Sequence, residues 1–255
     1  MFSYYGALNS EVYEFTKPVG HSINGDIEYY RERLQSCGGR ILEAGVGTGR
    51  MLIPLLEAGM TVDGIDYSPE MLAVCRTRMA ERSLNAELYE GNLQHFSLPH
   101  KYEAIVMPTG SFLLIEKREE SINAMKCMYE HLVPGGRFIV DIFLPDYTGT
   151  DFACGNVYTT THELPSGDVI TMEQKVVEVD FLRQHWVSYL KYEKWRKGNL
   201  LQTELQRFAL RWYGIEEFRL LLESVGFKDI VCSANYQYGA EPDHEKQTFT
   251  FEARK

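Results

Sequence analysis

Long apolar runs are missing from this 255-residue chain, and no stretch approaches the roughly 20 residues that a membrane-spanning helix needs. The opening residues Met1-Phe-Ser-Tyr-Tyr-Gly hold neither a basic segment nor the apolar core of a secretory signal, so no signal peptide is expected. Basic charge is also short. Lys and Arg number 26 against 36 Asp and Glu, a formal net charge of −10. Phosphate contacts need clustered Lys and Arg, so this balance argues against a nucleic-acid or anionic-membrane partner. Cysteine is sparse, and Cys37, Cys75, Cys127, Cys154 and Cys232 include no C-x-x-C pair. An odd, scattered set of thiols predicts a reduced, cytoplasmic chain rather than a disulfide framework. The seven histidines form no H-E-x-x-H or similar pattern, so no metal is expected.

What is present is a chain 44% hydrophobic, enough for one large α/β domain or a domain with an insertion. Its organising stretch is Ile41-Leu42-Glu43-Ala44-Gly45-Val46-Gly47-Thr48-Gly49-Arg50. This reads as an apolar strand ending in an acid, a loop with glycine at every second position, and a helix start. Glycines let a ligand lie on the backbone, and the helix N-terminus turns free N–H groups to the same spot. A phosphate-gripping loop would need Gly-Lys-Ser/Thr where Gly49-Arg50-Met51 stands. A dinucleotide fingerprint would need a third glycine at position 50, which is Arg.

The remaining elements follow in order. A second strand, Thr61 to Asp66, ends in an acid at the distance from the glycine loop where a carboxylate accepts both ribose hydroxyls. Asp66 could instead cap the next helix, but Ser68-Pro69 suits that role better. Helices are predicted over about 27–35, 51–58, 70–82 and 119–132, with strands near 86–90, 102–107 and 138–143. Pro134-Gly-Gly-Arg137 reads as a sharp turn, and the first 24 residues as aromatic but aperiodic. Residues 156 to 212 are rich in Thr, Val, Tyr and Trp with turn signals, and predict an antiparallel meander of about four strands. A helix ending at Gly226-Phe227 leads into two last strands, 228–234 and 247–253.

The E-x-G-x-G-x-G run, the acid at 66 and the "helix, G-F, strand" ending resemble the class I S-adenosylmethionine-dependent methyltransferases. The likeness spans roughly residues 38–145 and 213–253. Val12-Tyr13-Glu14-Phe15 and the inserted meander are similar to small-molecule N-methyltransferases of the glycine and amino-sugar type. The resemblance implies a doubly wound, seven-stranded, mostly parallel sheet with an inserted antiparallel β-meander. It implies a lid over 1–36, a cofactor-binding core over 37–150 and 213–255, and an insert over 151–212 that caps substrate or makes a dimer.

The cofactor implied is S-adenosyl-L-methionine. Gly45, Gly47 and Gly49, with Ala44, would carry its backbone contacts, and Asp66 the ribose. Tyr67 and Met71 would flank the adenine, with Asn92 and the Leu93 N–H at its edge. Asn92 stands where the family usually has Asp. Tyr13, Lys17 and Glu43 would meet the methionine end, and Pro108 and Thr109 the methyl side, where the acceptor approaches. The expected reaction is in-line methyl transfer to N or O of a small molecule. His21, His162 and His185 are base candidates by location only, so no catalytic residue is assigned. A non-catalytic cofactor-binding module and a nicotinamide oxidoreductase are the alternatives.

Overall fold

The structure, a computed structural model, describes residues 5–147 and 152–255. Tyr4 and the domain junction expected at 150/151 lie outside the described residues.

The chain opens with helices α1 (Ala7–Thr16) and α2 (Asp26–Leu34). It then alternates β1 (Ile41–Ala44), α3 (Leu52–Glu57), β2 (Val62–Asp66), α4 (Pro69–Glu81) and β3 (Leu88–Glu90). Strand β4 (Tyr102–Met107), a 3-10 turn at Ser111–Leu114, α5 (Arg118–His131) and β5 (Leu132–Phe143) complete the first half. Strands β6 (Val157–Glu163), β7 (Val169–Asp180), β8 (His185–Arg196) and β9 (Asn199–Arg211) come next. Helix α6 (Ile215–Val225) and strands β10 (Lys228–Ala234) and β11 (Thr248–Arg254) close the chain.

The main sheet has seven strands in the order β10-β11-β5-β4-β1-β2-β3, and only the pairs made by β11 are antiparallel. The central strands are apolar because helices cover both faces. β1 is buried along its whole length, and β4 at all but one residue. One face packs Tyr30, Leu34, Leu52 and Leu72, and the other Met125, Met128, Phe218 and Leu222. The strand order reverses between β1 and β4, which opens a crevice at the strand C-termini.

The second sheet is a four-stranded antiparallel meander, β6-β7-β8-β9. It is not a loose appendage. Trp186, Leu210 and Trp212 join the same hydrophobic cluster as Met107, Phe112 and Phe218 of the core.

Two local features differ from the sequence expectation. The supposedly aperiodic N-terminus contains α1. Leu8 and Val12, one helical turn apart, pack against Ile170, Leu190 and Tyr192 of the second sheet. Its N-cap is Gly6, which offers no side chain, and the Glu204 carboxylate accepts from the Leu8 N–H at 2.9 Å instead. A cap supplied from 196 residues away leaves no local signal. The Pro134-Gly-Gly-Arg137 stretch is part of β5, and its pairing with β4 shifts register between Tyr102 and Ala104. Gly136 fits there because a Cβ would lie only 3.0 Å from the Val133 carbonyl and 3.1 Å from that of Glu103.

Candidate active site

The glycine loop leaves β1 with Gly45, Gly47 and Gly49 all at positive φ (78, 54 and 85°). Each glycine has its own reason. A Cβ at Gly49 would meet the Cys75 Sγ at 2.7 Å, so that residue is small for packing. A Cβ at Gly47 would meet nothing within 4 Å, so its space is the open side of the loop. Gly45 faces the Ser111 side chain, where a Cβ would come to 3.3 Å.

At the end of β2, Asp66 is tied into this loop. Its Oδ2 accepts from the Gly47 N–H at 2.8 Å, and its Oδ1 from the Ser68 N–H at 2.9 Å. Ser68 is the N-cap of α4, accepting from the Met71 N–H at 3.1 Å, with Pro69 at the first helical position. Asp66 is therefore not the cap, and each oxygen keeps acceptor capacity. Burial pushes its carboxyl above the usual range, against the hydrogen bonds from Ser68 and Gly47 that favour the anion.

These residues open onto a cavity of about 650 Å³. Gly45, Gly47, Asp66, Tyr67 and Met71 line one end. Asn92 and Leu93 continue that wall, and Tyr13 and Lys17 of the N-terminal segment close over it. Thr109 lines the far side. Glu43, Ala44, Gly49 and Pro108 are not among the lining residues. The first three lie on or behind the strand and loop, and Pro108 turns its carbonyl to the Ser111 N–H and Oγ.

Asn92 Oδ1 accepts from the Gln94 N–H at 2.9 Å, so the residue forms an Asx turn while facing the cavity. The segment behind it is pinned from α5. His131 Nε2 accepts from the Leu98 N–H at 3.1 Å, and its Nδ1 lies 2.8 Å from the Cys127 carbonyl. This pairing fixes the neutral tautomer with the proton on Nδ1.

Several titratable groups crowd the N-terminal wall. Arg50 is buried and grips Asp26 of α2 with both terminal nitrogens, at 2.5 and 3.2 Å, and the His21 carbonyl at 2.7 Å. Burial raises the Tyr13 phenol, opposed by the adjacent Arg50 charge. The Lys17 Nζ lies 5.0 Å from the Tyr13 ring centroid, and its ammonium is pushed below the usual lysine range by burial and then by Arg50. Glu43 is pushed up to about 8 because it is buried, opposed by Arg50 and joined by the like charges of Asp66 and Asp26. Its Oε2 is buried without a hydrogen-bond partner.

The opposite half of the cavity was not assigned from sequence. Leu114 ends the 3-10 turn and Ile115 follows it, Phe143 ends β5, and Phe208 and Leu210 come from β9. At its outer end the Glu116 carboxylate is held by Arg207 in a fork of 2.6 and 2.7 Å. Glu120 takes Lys117 at 2.9 Å and Gln94 at 3.1 Å. His21, His162 and His185 are not among the residues lining this cavity.

A glycine cradle, an acid at the next strand's end and a reversal of strand order are the marks of a doubly wound α/β fold of the class I methyltransferase type. Residues 41–136 match the family model described as a methyltransferase domain. The cypemycin N-terminal methyltransferase of a Streptomyces species is 24% identical over 240 residues, covering 94% of this chain and 92% of that protein. The dTDP-3-amino-3,6-dideoxy-alpha-D-glucopyranose N,N-dimethyltransferase of Streptomyces fradiae is 28% identical over 60% of this chain and 62% of its own length. Among solved structures, the S-adenosylmethionine-bound amino pentose methyltransferase CalS10 of Micromonospora echinaspora has a similar fold. It superposes at a TM-score of 0.70 with 17% identity, each chain fully covered. Residues 41–136 thus carry a methyltransferase domain, and the relatives support methyl transfer rather than nicotinamide chemistry. Among the described residues no helix is long and apolar enough to cross a membrane.

Proposed function

We propose that this enzyme methylates an amine nitrogen of a small molecule. The observation that carries the reading is the acceptor half of the cavity, apolar along Leu114, Phe143, Phe208 and Leu210. Such a wall desolvates an ammonium and favours the neutral amine, which needs only its lone pair to attack. A hydroxyl acceptor would want a base, and the two carboxylates at that end are poor ones, Glu120 being engaged by Lys117 and Gln94. Arg207 holds Glu116 below the usual carboxylate range. One relative named above is by its description an amino-sugar N,N-dimethyltransferase, and another is an N-terminal methyltransferase, which supports nitrogen as acceptor.

The cofactor supplies an activated methyl group on a sulfonium. In this reading the protein holds the cofactor and the acceptor in line and keeps water out. Asp66 takes the ribose hydroxyls, Tyr67 and Met71 flank the adenine, and Asn92 with the Leu93 N–H meets its edge. The open side of Gly45 and Gly47 carries the methionine portion, with Gly49 shaping the turn and Ala44 leading into it. Lys17 offers the cofactor's carboxylate a charge, with Tyr13 beside it, and Glu43 draws the ammonium. Pro108 and Thr109 form the methyl-side wall.

The segment over 1–36 acts as a lid, 37–150 with 213–255 as the cofactor-binding core, and 151–212 as the cap over the acceptor. The five cysteines are free, which supports a reducing, cytoplasmic setting. An exposed second sheet leaves room for a homodimer, and the acidic balance speaks against nucleic acid as substrate.

Mass spectrometry after incubation with S-adenosylmethionine and matched pairs of amines and alcohols, amino sugars included, tests the reading. Amines should gain one or more methyl masses and their hydroxyl analogues none. Methylation of the alcohols alone would overturn it.

Glu43 gives a second test. Its raised pKa means that the stability tied to this group declines as pH rises from the ordinary glutamate range toward 8. An ammonium brought beside it would strip its proton. Cofactor affinity is therefore expected to rise from pH 6 to pH 8, with release of up to about one proton per cofactor near pH 7. Calorimetry in buffers of different ionisation enthalpy measures that proton count. Glu43→Gln should abolish the release, and an equal release in that variant would remove Glu43 from the site.

A further inference from the structure

Asp141 of β5 is fully buried, and four donors converge on it. Oδ1 accepts from the Tyr30 hydroxyl at 2.9 Å and the Thr250 hydroxyl at 2.7 Å. Oδ2 accepts from the Tyr236 hydroxyl at 2.9 Å and the Thr109 backbone N–H at 2.7 Å. The donors come from α2, β11, the β10–β11 connection and the loop leaving β4. Each oxygen thus takes two hydrogen bonds, and no cation makes a direct contact among the bonds described. A sheet interior needs no such group for packing, since Ile139 fills the same face without one.

Its one backbone donor is the unusual member of the set. Thr109 sits at φ 54°, a left-handed conformation that a β-branched residue rarely adopts. Gly110 follows at φ 73°, where a Cβ would run into the Phe143 ring. Ser111 then abuts Gly45 of the cofactor loop. Thr109, Gly110 and Ser111 all line the cavity. Strained backbone persists where its surroundings hold it, and it gathers at functional sites.

We propose that Asp141 is the positioning residue of methyl transfer. It holds the Thr109 peptide in its strained conformation, so that the 109–111 wall fixes where the methyl group and the attacking nitrogen meet. Asp141 touches neither reactant. Its four donors all favour the carboxylate over the neutral acid, which keeps the grip on the Thr109 N–H strong although burial pushes Asp141 up to about 6. Through Tyr30 the same carboxylate anchors α2, the helix that also carries Asp26 to Arg50. Cofactor loop and methyl-side wall are thereby referred to one buried point. The inference rests on the cofactor occupying this cavity and not on the identity of the acceptor.

Asp141→Asn is the test, with Thr250→Val as its control for stability. The amide offers the Thr109 N–H at best a neutral oxygen, so that bond loses its charge assistance, whereas Thr250→Val removes one donor and leaves the Thr109 bond to the carboxylate intact. Three readouts are compared in the full chain. They are calorimetric affinity for S-adenosylmethionine, the NMR resonance of its bound ¹³C-methyl group, and turnover on the amine the wild type methylates best. Asp141→Asn should keep cofactor affinity within about threefold, move the bound methyl resonance, and lower kcat about a hundredfold, the scale of a 1 Å misplacement. Thr250→Val should lower the melting temperature while leaving kcat and the methyl resonance alone.

An unmoved methyl resonance in folded Asp141→Asn would overturn the proposal, as would equal kcat losses in both variants. Loss of cofactor binding by the wild type would instead sink the assignment of the cavity. If Asp141→Asn does not fold, hydrogen exchange of the ¹⁵N-labelled Thr109 amide in the wild type decides. Strong protection supports the grip, and exchange as fast as an open loop overturns it.

Discussion

Asp66→Ala is expected to weaken S-adenosylmethionine binding about a hundredfold while leaving the fold in place. A hydrogen bond to a charged acceptor contributes roughly 1.5–3 kcal/mol, so losing two to the ribose costs about 3 kcal/mol or more. The carboxylate also accepts the Gly47 and Ser68 N–H groups, so its removal loosens the loop on which the cofactor lies. Stability should change far less than affinity, because burial already disfavours the charge and its removal ends that penalty. The raised pKa also sets the sign of the pH effect, since affinity should be lost as pH falls through it. Asp66→Asn keeps one acceptor oxygen and should lose about tenfold, the value of a single such bond. Calorimetry orders the three proteins. Equal affinity in wild type and Asp66→Ala would remove Asp66 from the ribose.

The same residue shows why half of the site is legible in the amino-acid sequence. Gly45, Gly47, Asp66, Met71 and Asn92 lie at or just beyond the C-terminal ends of β1, β2 and β3, and a parallel α/β sheet brings such ends together at one edge. Local chemistry therefore carries the cofactor half. Ser68 and Pro69 announce their cap and so release Asp66 for another role.

The acceptor half has no such signal. It joins the stretch around Leu114 to residues of β9 nearly 100 positions later, and only the docking of one sheet on the other makes them neighbours. Alternation in β9 predicts two faces. Yet Arg207 and Phe208, adjacent and opposite in pattern, both reach the cavity because β9 is the edge strand beside it. Helix α1 is hidden for a similar reason, as its cap is Glu204 and its apolar partners lie on the second sheet. Glu43 shows the remaining gap. Its sequence position is that of a ligand-binding acid, but the side chain is buried and does not line the cavity, so burial governs its charge until a ligand's ammonium reaches the unpartnered Oε2.

Arg50 is the converse case, a residue whose sequence position speaks only to what the loop does not bind. Arginine in place of a third glycine argues against a dinucleotide, and the structure gives it a task of its own. It forms a buried fork with Asp26, and the Asp26 Oδ1 further accepts the Ile23 and Ile27 N–H groups at 2.8 Å each. The pair ties the cofactor loop to the segment that carries Tyr13 and Lys17. Arg50→Met is expected to destabilise the protein by about 3–5 kcal/mol, because Asp26 would be left buried without its cation. For a chain of this size that lowers the melting temperature by about 10 °C.

Breaking a pair is costly mainly through the charge it strands, so removing both partners should be milder. Arg50→Met with Asp26→Leu is expected to recover most of the lost stability. It should not recover cofactor affinity, since the fork that aligned the N-terminal segment would still be missing. Thermal denaturation separates the two effects from calorimetry, and limited proteolysis between residues 17 and 25 reports whether that segment has come loose. A double variant as unstable as the single one would show that Arg50 acts through packing or through the His21 carbonyl rather than through Asp26. Full affinity in a stable double variant would show that the lid over the cofactor is held by α1 and its contacts alone.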